Sequence, residues 1–373
     1  MFKKKKSRLQ LAQEEAQRAI NKTNEKIEEL GENTNVLYEV LTEIQSSFDA
    51  IRNVPSDKKL QYEELKKIRL NWKQQAEKIE KDYKEAEAKS AGAGVAGAGL
   101  GIAVVTMGPA AAMGVATTFG VASTGTAIST LSGAAATNAA LAWLGGGALA
   151  AGGGGMAAGE AFLTLAGPVG WAIAGVALLT SGLLLWKTKA DQKRIEDIFT
   201  AISQRDIRSY DLAIVELNER ISRIIDESSK LKDAIEKIKT FGLDYNAMDE
   251  QQQYELGSYV NLMSSSTQLL VNPIMGLLPK YTADDLDHFV EWKDRKAEIR
   301  ICKEYKDLMV SLANFLYKIE LNDRDKKLLW KSLRKNKKML KSMDISKKEF
   351  DMHVFDAIYE ALNYKYTEGV ASE

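Results

Sequence analysis

The chain is poor in the residues that build covalent, metal or catalytic centres: its 373 residues include one cysteine, two histidines and five prolines. The single cysteine, Cys302, excludes an intramolecular disulfide and any cysteine-rich zinc site. His288 and His353 have no HExxH or HxxxH partner. The run TADDLDH, with Asp284, Asp285, Asp287 and His288, can be drawn as a metal site, but acidic residues in a first helical turn are also what a helix dipole favours. No Ser-His-Asp, Cys-His or paired-glutamate arrangement can be argued, so neither an enzyme nor a cofactor is expected. Net charge is also lacking. With 51 basic and 51 acidic residues the formal charge is +0, which excludes the global electrostatic footprint of a nucleic-acid binder. The start, MFKKKKSRLQ, is basic but leads into LAQEEAQRAINKTNEK instead of an apolar stretch, so no secretory signal peptide is expected.

Charge is most conspicuously absent between Ser90 and Trp186, where Glu160 is the only ionisable side chain in 97 residues. The same block holds 22 of the 27 glycines. Glycine richness invites a phosphate-loop reading, but G-x-x-x-x-G-K-[ST] needs a lysine and none lies between Lys89 and Lys187. Gly92, Gly94 and Gly97 satisfy G-x-G-x-x-G, yet they follow a charged helical pattern and no strand, so the dinucleotide-binding context fails.

What the block does offer is hydrophobic length. A spanning helix needs about 20 mostly apolar residues, so there is room for two to four. The best candidate is VGWAIAGVALLTSGLLLW, from Val169 through Trp171 to Trp186, which carries eight Leu, Ile or Val residues. At about −0.3 to −0.6 kcal/mol each, these contribute roughly −2 to −5 kcal/mol to insertion. Trp186 followed by Lys187 and Lys189 is an interfacial anchor pattern. The earlier stretch from Gly92 to Val115 is less aliphatic and contains Pro109, and LAWLGGGALAAGGGGMAAGEAF, Leu141 to Phe162, makes a poor isolated helix. Gly97 with Gly101, and Gly155 with Gly159, satisfy GxxxG, a spacing that lets helix backbones approach closely in lipid. Glu160 lies beside them, either lining a pore within an inserted bundle or in a turn at the water interface. Lys81, Lys84 and Lys89 precede the block and Lys187, Lys189, Lys193 and Arg194 follow it, which predicts both flanks on one side and an even number of crossings.

The flanks read as long helices. Ile20, Thr23, Ile27, Leu30, Thr34, Leu37, Leu41, Ile44, Phe48 and Ile51 fall at steps of three and four, a heptad seam. Pro55 interrupts it, and Leu65, Ile68, Trp72, Ala76, Ile79, Tyr83 and Ala86 continue, predicting one long helix or two collinear ones. Ile207, Tyr210, Ile214, Leu217, Ile221, Ile224, Ser228, Leu231, Ile235 and Ile238 repeat the signature after the block, and the first arm is a natural partner. After Gly242 come shorter amphipathic stretches, with capping-box patterns at Thr282/Asp285 and Ser346/Glu349, which read as a small helical bundle. Within it, Arg324 to Lys348 carries eleven basic residues against Asp325 and Asp344, with Leu329, Leu333, Leu340 and Met343 on one face and Trp330 beside them. Trp330, Lys331, Arg334, Lys335, Lys337, Lys338 and Lys341 are therefore candidates for docking on anionic lipid, the alternative being a solvated outer face of the bundle.

The expected organisation is all-α: a coiled-coil arm at 1–90, a glycine-rich membrane-inserting segment at 91–186, a second arm at 187–243 and a helical bundle at 244–373. Two heptad helices flanking an uncharged Ala/Gly-rich insert resemble the α-helical pore-forming toxins, the class of cytolysin A and of the haemolysin BL and non-haemolytic enterotoxin components. The resemblance is architectural. It implies an insert hidden in one form and membrane-penetrating in another, with oligomerisation through the long helices. The insert here is longer, the second arm shorter, and the helices after Tyr245 have no counterpart. The expected function is permeabilising or remodelling a bilayer, as a toxin or a defence effector, with a homo-oligomer or a helical partner subunit formed through the arms. The alternative is a membrane-anchored scaffold whose arms recruit partners. Membrane association is expected, with a soluble cytoplasmic form also allowed.

Overall fold

The computed structural model describes residues 8–70, 72–74, 188–272, 274, 280–281, 283–292, 302–335, 340 and 345–368. The whole predicted membrane-inserting segment lies outside the described residues. Those described are helical, with no strand and only an isolated bridge between Arg52 and Asp244. Helices α1 (Arg8–Asp49) and α2 (residues 56–70) precede the apolar block. After it come α3 (Lys189–Lys239), α4 (Glu250–Val271), α5 (Ala283–Trp292), α6 (Lys306–Leu316), α7 (Asp323–Arg334) and α8 (Met352–Asn363), the last running into a π-helical turn at Tyr364–Glu368. Among the described residues no helix is long and apolar enough to cross a membrane.

The heptad stripe of α1 faces inward as its spacing requires. Thr23, Ile27, Leu30, Thr34, Leu37, Leu41, Ile44, Phe48 and Ile51 are all buried. Towards the N-terminus the stripe continues through small residues, Ala19, Ala16 and Ala12, to Leu9. Two successive steps of four at 19–23–27 form a stutter, which locally relaxes the drift between a 3.5-residue repeat and a 3.6-residue helix. On α3 the buried series includes Tyr210, Leu217, Ile221, Ile224, Ser228, Leu231, Ile235 and Ile238. Here Asp206 and Ala213 are buried and the expected Ile207 and Ile214 are only half-buried, because the step before Tyr210 is four and the step after it three.

Helices α1 and α3 pack along their length and run parallel. At their C-terminal ends the Arg52 amide donates to Leu243 O (2.9 Å) and the Tyr245 amide to Arg52 O (3.0 Å). At their N-terminal ends Leu9 shares a core with Ile195 and Ile198. Gly242, at φ 83°, takes the left-handed conformation that lets the chain leave α3 without a Cβ clash. Asp249 and Gln252 then form a reciprocal capping box that starts α4. This helix returns antiparallel to α3: Arg220 donates to Leu269 O (2.8 Å) and Asn272 O (2.9 Å), and Ser265 to Glu227 (3.0 Å).

The first arm is neither one helix nor two collinear ones. Phe48 packs on Tyr62 with ring centroids 5.2 Å apart, Lys66 pairs with Asp49 at 3.0 Å, Arg69 donates to Gln45 at 3.1 Å, and Tyr38 stacks on Trp72 at 5.6 Å. The partners on α1 fall from Phe48 and Asp49 through Gln45 to Tyr38 as those after Pro55 rise from Tyr62 to Trp72, so the two form an antiparallel hairpin. The reversal occurs at Asn53–Pro55, where Asn53 holds φ 62° and donates to the Asp244 carboxylate at 2.9 Å. The apolar steps resume after Pro55 because α2 folds back onto α1 and presents its stripe to the same core.

Two cores result. One is built by α1, α2, the larger part of α3, and α4, so residues 250–271 join the arms and not the terminal bundle. The other takes Leu9, the first turns of α3, and α5 through α8. At about 1.5 Å per residue, the 51 residues of α3 span roughly 76 Å and belong to both.

Candidate functional site

The described residue nearest the apolar block on its C-terminal side is Thr188, and the geometry around it is specific. Its backbone is extended (φ −144°, ψ 154°) and its hydroxyl accepts from the Asp191 amide at 3.1 Å. Thr188 is thus an N-cap, which satisfies one of the orphan amides of the first turn. Helix α3 therefore begins here and does not continue through residue 188 into the block.

Its first two turns are held by a crossed pair of ion pairs to the first turn of α7. Arg324 donates to Asp191 at 2.8 Å and Arg194 to Asp325 at 2.9 Å. Asp325 is fixed from its own helix: its amide donates to the N-cap Asn322 Oδ1 at 3.0 Å, and Asn322 Nδ2 donates to its carboxylate at 2.7 Å. The Arg324 hydrogen bond, above all, holds the Asp191 carboxyl below its ordinary range. Both acidic side chains sit in first turns, where the helix dipole adds to the stabilisation. A cleft of about 590 Å³ opens between the start of α3 and the segment that leads into α7, lined by Lys193, Arg194, Ile198, Leu321 and Asp325 among others. It mixes both charge signs with aliphatic side chains.

Three turns further along α3 the anchorage becomes buried. Arg205 donates to Asp206 Oδ1 from Nη2 (2.7 Å) and Nε (3.0 Å), and from Nη1 to Phe315 O (2.9 Å) and Tyr317 O (2.6 Å) at the end of α6. The guanidinium thereby caps two carbonyls that α6 leaves without intrahelical donors. Asp206 is buried, its Oδ2 has no hydrogen-bond partner, and desolvation pushes its carboxyl above the ordinary range against the pull of Arg205. Together with Ile195, Ile198, Phe199 and Ile202 in the second core, these contacts clamp the start of α3 to the terminal bundle.

Of the predicted membrane residues, Gly97, Gly101, Gly155, Gly159, Glu160, Trp171 and Trp186 lie outside the described residues. So do Lys337, Lys338 and Lys341 of the basic stretch. The other candidate residues of that stretch are described. Leu329, Leu333 and Leu340 are buried in the second core, and Trp330 is half-buried with its indole N–H donating to Phe350 O at 3.1 Å. Arg334 lies over the Trp330 ring at 5.0 Å and donates to Lys347 O at 2.7 Å. Lys331 and Lys335 are exposed, as is Lys327 one turn earlier. The apolar face of α7 is thus occupied by its own bundle, and its lysine face is turned to solvent.

The capping pattern Ser346/Glu349 forms its reciprocal bonds, at 2.8 and 3.3 Å, but closes a turn. Helix α8 starts later, capped by Asp351. Helix α5 begins at Ala283, just after the expected cap Thr282, which lies outside the described residues. In the TADDLDH run, Asp285 binds Lys365 (2.6 Å), Asp287 binds Lys306 (2.7 Å) and His288 is exposed. Among the described residues no group of three or more His, Cys, Asp or Glu could hold a metal ion.

Sequence reasoning missed the crossed ion pairs, the Arg205 clamp and an aromatic cluster. In the last, Trp292 packs on Tyr364 at 4.7 Å, Phe289 on Tyr364 at 5.9 Å and Tyr317 on Tyr366 at 5.3 Å. These partners are far apart in sequence and share no periodicity. The only available signal was the adjacency of opposite charges at Arg324-Asp325 and Arg205-Asp206. No family model matches the chain, and no curated protein and no solved structure matches it.

Proposed function

We propose that this protein is membrane-active: residues 91–186 enter a bilayer as one or two helical hairpins, and the helical body controls their exposure and assembly, permeabilising or remodelling the membrane. The observation that carries this reading is the 97-residue block with Glu160 as its single charge, bounded by lysines on both sides. Its best span offers roughly −2 to −5 kcal/mol of insertion free energy from its aliphatic residues. The flanking arms support the reading. Helices α1 and α3 pack in parallel through heptad-spaced residues, which we take as a coiled coil, and α3 starts at its own cap two residues beyond the block. The resemblance to the α-helical pore-forming toxins belongs to the same proposal. Because the seam residues of α1 and α3 are satisfied within one chain, assembly draws on apolar side chains left exposed along α3, such as Leu212, Val215 and Ile225.

The test is purification without detergent followed by dye release from liposomes. Release that rises with protein concentration is expected. A chain that stays soluble and releases no dye at any protein-to-lipid ratio overturns the proposal, and a chain that always requires detergent and releases none favours the anchored scaffold.

A further inference from the structure

The lysine face of α7 is left without a role by the packing of the bundle. Lys327, Lys331 and Lys335 are spaced four apart, so they share one side of the helix, and all are exposed. Lys347 and Lys348 are exposed on the neighbouring turn, which Arg334 ties to α7 through its bond to Lys347 O at 2.7 Å. Because the chain as a whole is neutral, this concentration of positive charge is a local segregation and not a reflection of composition.

This face also lies close to the end of the uncharged block. The first turn of α7 is held to the first two turns of α3 by Arg324–Asp191 and Arg194–Asp325. Those turns of α3 follow the uncharged block by only a few residues. From Arg324 to Lys335 is about 17 Å along the helix, so the whole stripe stays close to the point where the chain leaves the block. Lys189 and Lys193 are exposed at the same end.

We infer that α7 is a juxtamembrane surface that binds anionic lipid headgroups by electrostatic contact, without inserting its apolar face. The inference rests on the reading that residues 91–186 enter a bilayer, which puts headgroups at this end of α3. Leu329 and Leu333 are committed to the second core, so attachment comes from charge alone. Charge attraction to an anionic surface acts within a Debye length of about 8–10 Å and weakens steeply with salt. Binding through α7 is therefore salt-sensitive, unlike insertion of the block.

The experiment is vesicle co-sedimentation of the full chain on phosphatidylcholine vesicles with and without phosphatidylserine. We compare wild type, the triple variant Lys327→Glu, Lys331→Glu, Lys335→Glu, and a control carrying Lys59→Glu, Lys232→Glu, Lys237→Glu at exposed positions on the opposite end. All six positions are solvated, so circular dichroism and Tm should match wild type.

Wild type and control should prefer anionic vesicles by about tenfold or more at about 50 mM salt, and most of that preference should vanish at about 300 mM. The α7 variant should lose the preference while binding neutral vesicles as wild type does. Retained preference in the α7 variant, an equal loss in the control, or tighter binding to polyglutamate than to anionic vesicles overturns the inference. Failure of insertion reads out separately, as absent dye release with the anionic preference intact.

Discussion

At the scale of single residues, Arg205 ties α3 to the terminal bundle. Its guanidinium donates to the buried Asp206 and also caps two carbonyls at the end of α6. Removing one partner of a buried pair strands the other, at a cost of about 3–5 kcal/mol. Arg205→Ala should therefore lower the urea midpoint by that equivalent, and a loss below about 1 kcal/mol would show that the clamp contributes little. Asp206 gives a pH test. Burial holds its carboxyl above the usual range, so the folded chain keeps a proton that the unfolded chain releases near pH 3.9, to about a unit. The stability this provides is fully present below the unfolded value and is lost as pH rises through the folded one. Asp206→Asn cannot titrate, so wild-type stability relative to the variant should decline as pH rises from about 4 and then level off. A difference that stays constant from about pH 4 to about pH 8, followed by denaturant unfolding, would contradict the assignment.

At the scale of elements, the hairpin of α1 and α2 separates two descriptions that share one hydrophobic pattern. Spin labels at the exposed positions Ser46 and Leu70 would lie about 36 Å apart on collinear helices, from 24 residues at about 1.5 Å each. On the hairpin they should be separated by little more than the roughly 10 Å between packed helices plus the label arms. A pulsed dipolar distance near the larger value would contradict the fold. The same pair shows how much was legible beforehand. Helical periodicity identifies which face is buried, so Leu37, Leu41, Ile44 and Phe48 could be placed in a core from spacing alone. Direction was not legible, because a stripe of apolar residues packs equally well on a parallel or an antiparallel partner. What fixes it is short-range geometry at Asn53 and Pro55 and contacts such as Arg69 to Gln45, which no periodicity reports. The alanine extension through Ala12 and Ala16 escaped notice for a related reason: small residues carry little hydropathy, although they allow close helix approach.

At the scale of the whole molecule, one 51-residue helix joins two cores and begins beside the uncharged block. The candidate site was legible only in part. Composition exposes the block and its lysine borders, because charge is costly in lipid and its absence over 97 residues is conspicuous. The clamp on α3 was not legible, since Asp191 and Arg324 meet only after the bundle has folded. The division of labour leads to a direct test. The two cores are built from residues on either side of the block, so circular dichroism and Tm report on the body while substitutions within the block test insertion. Two aspartates near the centre of the best span add about 5–7 kcal/mol to its insertion free energy, more than its aliphatic residues contribute. The decisive measurement is dye release from liposomes by the detergent-free chain and by its Val176→Asp, Leu179→Asp variant. Release by wild type and near-complete loss in the variant, at unchanged helical content and Tm, is the result this account predicts. Equal release by both proteins, or none by wild type, would contradict it.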